Sequence, residues 1–98
     1  MYEDRRETIQ KINSIPIPKA MLAAACALDR RRITDFVNYY TLPEATSTKI
    51  KTAVAKIEII RNTFHPFRIA VDSPEILESA FDFAQQRKLQ ELENNTNG

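Results

Sequence analysis

The only glycine in this chain is its last residue, so every internal break must come from proline or from a residue that bends the backbone at some cost. Five prolines supply that punctuation: Pro16, Pro18, Pro43, Pro66 and Pro74. They cut the 98 residues into helix-sized pieces, and no piece sustains the apolar-polar alternation of a strand. The expectation is an all-α fold of five helices. A glycine-rich phosphate loop is excluded.

At 43% hydrophobic and 28% charged residues, the chain has the makings of one folded core. Its 14 basic and 13 acidic residues give a formal charge of +1, which says little about partners. Their placement says more. Basic residues gather at Arg30-Arg31-Arg32 and recur at Lys49, Lys51 and Lys56, while acidic residues crowd the C-terminal third. With Cys26 as the sole cysteine, an internal disulfide is impossible, and a reducing compartment is the natural reading. No apolar run approaches the roughly 20 residues that cross a bilayer. The N-terminal residues lack the apolar stretch of a signal peptide, so a cytoplasmic protein is expected. Asn94-Asn95-Thr96 is a glycosylation triplet by pattern only.

The first expected helix runs from about Tyr2 to Ile15, with Ile9 and Ile12 on one face. The second starts near Pro18 and carries the small apolar run from Ala20 to Leu28. Asp29 reads as the N-cap of a third helix from Arg30 to about Tyr40, with Ile33, Phe36 and Val37 inward. Thr41-Leu42-Pro43-Glu44 has the form of a capping box for a fourth helix to about Asn62, with Ile50, Ala53, Val54, Ile57 and Ile60 at helical spacing. Residues 65–71 read as an extended linker with Phe67, Ile69 and Val71 inward. Asp72-Ser73-Pro74-Glu75 is a second capping box, opening a fifth helix. Residues 94–98 are expected to be a disordered tail.

The second and third helices are separated by only two or three residues. That is the arrangement of a helix-turn-helix, whose second helix enters the major groove of DNA. Residues Pro18 to Asn38 resemble the lambda-repressor-like (Cro-like) helix-turn-helix family. The resemblance rests on Ala23, the small turn residue Ala27, apolar Leu28, the pair Ile33 and Phe36, and Asn38. The box at Thr41 and the apolar helix from Ile50 match the element that follows in that family. The similarity covers roughly Thr8 to Ile60, judged by these element boundaries. It implies a five-helix domain of that family with an additional C-terminal helix. Three positions depart from the pattern: Ala27 and Tyr39 stand where the family usually has glycine, and Lys19 where it often has glutamine. A left-handed Ala27 would carry about 1 kcal/mol of strain.

Chemistry assigns roles within this frame. Arg30 and Arg31 are candidates to read bases, because the arginine fork matches two acceptors of guanine. Arg32 points elsewhere and suits a phosphate. Thr34 and Asn38 are further base or backbone contacts. Lys19, at a helix start, would meet phosphate. Tyr39, Tyr40, Lys49 and Lys51 would extend the backbone contacts. Asp35 is unfavourable near phosphate unless it pairs. The same arginine run also reads as a solvated helix face.

The expected organisation is a DNA-binding unit over residues 1–64 and a linker with the C-terminal helix over 65–93. Ile76, Leu77, Ala80, Phe81 and Ala84 form a stripe for either homodimerisation or packing on the chain's own core. The expected partner is an operator in duplex DNA, bound by a homodimer acting as a phage- or bacterial-type transcriptional repressor. The alternative is a protein-binding module with the same fold. No catalytic constellation, metal-ligand spacing around His65, or cofactor site is read from the sequence. Cys26 reads as a small core residue.

Overall fold

The computed structural model describes residues 4–65 and 69–96, with side chains through residue 93. Five helices and no strand occur among them: α1 Arg6–Ser14, α2 Lys19–Cys26, α3 Arg30–Val37, α4 Glu44–Phe64 and α5 Pro74–Thr96. The all-α class and the helix order are as expected. The start expected at Tyr2, the inward placement of Phe67 and the last two tail residues lie outside the described residues. Asn94 to Thr96, expected to be disordered, continue α5 as helix.

Proline governs where the helices open. The residue before a proline avoids helical backbone. Leu42, ahead of Pro43, therefore stays outside the helix and is drawn into the core. The box expected at Thr41 does not form; α4 opens with Pro43 as N-cap and no side-chain cap, the Pro43 carbonyl accepting the amides of Thr46 and Ser47 at 3.0 and 3.1 Å. The same rule moves the cap of α5 by one residue. Ser73, not Asp72, is the cap, its Oγ accepting the Ile76 amide at 3.1 Å. At α3, Asp29 holds the N-cap position with extended backbone, but its side chain makes no capping hydrogen bond.

α2 and α3 end in the same way. Each closes on a left-handed residue, Ala27 (φ 55°) and Tyr39 (φ 62°). After α2, the Ala27 amide donates to Ala24 O at 3.1 Å and the Leu28 amide to Ala23 O at 2.9 Å. After α3, the Tyr39 amide donates to Phe36 O at 3.2 Å and the Tyr40 amide to Asp35 O at 2.9 Å. Both are Schellman closures, which glycine usually serves. This second closure stops α3 at Val37, short of the expected Tyr40.

The core is built on α4, whose Ile50, Ala53, Val54, Ile57 and Ile60 are buried. Leu22, Ala23, Ala25 and Cys26 of α2, and Ile33 and Phe36 of α3, join it, with Ile12 of α1. Each fully buried large apolar side chain contributes about 1.5–3 kcal/mol. Val71 of the linker is buried and Ile69 packs against the same cluster. α1 is tied to α4 by Arg61, which donates to Ile15 O at 2.6 Å, and by Lys11 to Glu58 at 3.6 Å.

α5 folds back on this core, against α4 and α2. Leu77 and Ala84 are buried, and Ala80 and Phe81 pack on the cluster. Four of the five residues of the expected dimer stripe are thus spent within the chain; Ile76 alone stays 41% exposed. The physical reason is that the α4 stripe needs apolar cover. Past Ala84, residues 85–93 of α5 are all exposed, including Leu89 and Leu92. The molecule is elongated, at 50 × 27 × 22 Å.

Candidate nucleic-acid interface

α3 is eight residues long and keeps only one side inward, with Ile33 and Phe36 fully buried and Val37 half-buried. Successive helical residues turn by about 100°. Arg31 and Asn38 therefore lie opposite the Ile33–Phe36 face, with Arg30 and Thr34 on one shoulder and Arg32 on the other. The division of the triplet into differently directed arginines follows from this rotation. All three arginines are exposed. Among the described residues, no hydrogen bond or ion pair engages their guanidinium groups. Thr34 Oγ1 instead donates to Arg30 O at 3.3 Å, so its hydroxyl is partly occupied along its own helix.

The triplet also sits at the wrong end of its helix. A helix N-terminus carries partial positive charge, and cations there cost about 0.3–1 kcal/mol each. The first turn of α3 holds no acidic residue, and the carboxylate at that end is the one at the N-cap, Asp29. Asp35 is half-buried one turn later.

Around α3 the remaining candidates divide. Lys19 is the first residue of α2 and half-exposed. Lys49 lines an open groove between Leu28 of the α2–α3 turn and the first turns of α4. Lys51, two residues on, is rotated about 200° around α4 and does not share that side with Lys49. Asn38 is the exposed C-cap of α3. Tyr39 and Tyr40 follow, 55% and 61% exposed. Lys19, the three arginines, Thr34, Asn38 and Tyr39 thus lie on and around α2–α3, with Lys49 and Lys51 on different sides of α4.

Cys26 is buried at the end of α2, with Sγ 3.9 Å from Lys49 O. Burial pushes its thiol up to about 11, against a smaller opposing pull from Lys49. It is a packing residue, and the neutral thiol is its resting form. No cluster of three metal-ligating side chains occurs among the described residues, and no helix is long and apolar enough to cross a membrane.

One residue of consequence carried no signal in the sequence. Arg5, just before α1, is 6% exposed and reaches the far end of α3. Its Nη1 donates to Phe36 O at 3.1 Å and Asp35 O at 3.4 Å. No family model, no curated protein and no solved structure matches this chain.

Proposed function

We propose that α2 and α3 form a DNA-binding helix-turn-helix of the lambda-repressor-like kind, and that the chain is a sequence-specific regulator of transcription. α3 enters the major groove, with Arg30 and Arg31 on base edges and Arg32 and Lys19 on phosphates. The observation that carries this reading is the bare arginine triplet. Three guanidinium groups stand without a partner among the described residues at a helix end that disfavours them, held by a helix whose other side is fully anchored. A local rule broken with no ion-pair partner among the described residues favours a partner outside the chain. A polyanion presented to that face supplies the missing compensation.

Repressor function through a homodimer on a two-fold operator completes the reading, because one short helix discriminates only a few base pairs. The stripe from Leu77 to Ala84 is not available for it. The exposed distal part of α5, with Leu89 and Leu92 flanked by Lys88 and Glu93, is the surface left. Leu89 and Leu92 are spaced as a and d of one heptad, and Lys88 then faces Glu93 of a parallel second copy.

The test is selection of bound sites from a random duplex pool, followed by titration against salt. Binding should weaken with a log-log slope near −0.9 per phosphate contacted. The two half-sites and their spacing report the dimer. A flat salt response with no enriched site overturns the reading. It would favour the second one, a protein-binding module, for which the exposed Tyr39-Tyr40 pair is the supporting observation.

A further inference from the structure

We propose that Arg5 is a positioning residue for α3, holding the angle at which the arginine triplet is presented; this rests on the reading of α3 as the helix that meets DNA. Arg5 is separated from its partners by 30 and 31 positions, so the contact is purely tertiary. The last carbonyls of a helix lack partners within it. Here Asp35 O and Phe36 O each receive one backbone amide, from Tyr40 and Tyr39, and a second donor from Arg5. Each carbonyl offers two acceptor sites, so this doubly engages both oxygens. The guanidinium also lies over the Phe36 ring, its Cζ 5.0 Å from the centroid. A buried cation is tolerated only where charge and hydrogen bonds compensate it, and the negative end of α3 does so.

Position follows from leverage. α3 is about 12 Å long, with two fully buried side chains near its middle and end. Two such anchors resist displacement better than tilt. A tilt of about 13° about Ile33, three residues or about 4.5 Å from Arg30 and from Phe36, moves the arginine end and the carbonyl end by about 1 Å in opposite directions, enough to misalign a bidentate contact. Arg5 blocks that tilt. It is itself fixed by α1, which Arg61 and Lys11 bind to α4. The chain of contacts runs from α4 through α1 and Arg5 to the end of α3.

The experiment compares the full-length protein with Arg5→Met and Arg5→Lys. Binding is measured to the selected duplex and to a random duplex of equal length. Arg5→Met should lower the ratio of selected to random affinity tenfold or more, while random-duplex binding and its salt slope stay unchanged. Arg5→Lys keeps the cation and should recover part of the ratio. Ile60→Val, remote from this contact, serves as a control for general destabilisation and should leave the ratio alone. Should Arg5→Met fail to fold, the comparison rests on Arg5→Lys, expected to lower the ratio about threefold. A ratio within twofold of the parent in every folded Arg5 variant overturns the proposal.

Amide exchange of the free protein provides a separate arm. Exchange at Tyr39 and Tyr40, relative to Ile57, should quicken at least tenfold in a folded Arg5→Met, and about threefold in Arg5→Lys if that is the variant that folds. Unchanged relative exchange sinks the positioning role. If the parent protein binds no duplex at all, the DNA reading fails, and this exchange result alone decides whether Arg5 holds α3.

Discussion

The α4–α5 pair and the outer face of α3 treat charge in opposite ways. On the first, Lys56 pairs with Glu78 and lies over the Phe81 ring, Arg87 lies over Phe64, and Glu58 holds Lys11. On the second, three arginines stand together with no partner among the described residues and against the helix dipole. The charges of one region are met by the chain itself, and those of the other are not met among the described residues. Backbone strain shows the same asymmetry, since Ala27 and Tyr39, on either side of α3, are the left-handed residues of the described chain.

The contrast can be broken first at its anchor. Phe36→Ala, which empties the buried side of α3 and removes the ring under Arg5, should cost about 3–5 kcal/mol in denaturant unfolding. Phe83→Ala, which removes an exposed ring stacked on Phe64 at 5.7 Å, should cost no more than about 1.5 kcal/mol. Similar costs would mean that α3 is not anchored as described.

Thiol chemistry probes the same side of the core. With its pKa raised to about 11, Cys26 at pH 8 should hold roughly one hundredth of the thiolate of a free cysteine. It should label slowly until the protein unfolds. The sign of the linkage follows from the neutral form being favoured in the fold. Its contribution to stability is whole below the ordinary thiol range and is lost as pH rises toward about 11. Rapid labelling of the native protein at pH 8 would show the end of α2 to be open.

Glycine at either left-handed position sharpens the comparison further. Replacing Ala27 or Tyr39 relieves about 1–2 kcal/mol of strain and adds about 0.4–1 kcal/mol of unfolded-chain entropy. Each variant should melt higher, by the equivalent of up to about 1 kcal/mol. Tyr39→Gly should nonetheless bind duplex more weakly, having lost an exposed contact. A loss of stability at both positions would contradict the closures.

The smallest effects have opposite signs in the two regions. Arg31→Ala should raise stability by about 0.3–1 kcal/mol, because a cation leaves the N-terminus of α3. Lys56→Ala should lower it by about 0.2–1 kcal/mol, because a partly exposed pair is lost. Equal signs in thermal melts would remove the distinction between a satisfied and an unsatisfied surface.

Much of the architecture was legible in the residues. The prolines marked the helix breaks, and the spacing of Ile50, Val54 and Ile57 marked the buried side of α4. The comparison with a glycine-bearing pattern pointed to the left-handed closure at Ala27, whereas the closure at Tyr39 fell inside the helix expected to reach about Tyr40. Arg30, Arg31 and Arg32 were legible as a differently directed set because rotation along a helix is a local property. The caps at Thr41 and Asp72 misled, because a box motif competes with the preference of the residue before proline, and proline prevails. Lys49 and Lys51, neighbours in sequence, face different sides of α4, because proximity in sequence is not proximity around a helix.

What the sequence determined by itself is local: five helices, their breaks, their apolar sides and the arginine triplet at the start of α3. Tertiary structure alone decided that the stripe of α5 closes the core rather than facing outward. It also decided that Arg5 ends at the carbonyls of Asp35 and Phe36. The physical reason is that backbone preference acts over a few residues, whereas burial and charge compensation act between surfaces that only the folded chain brings together.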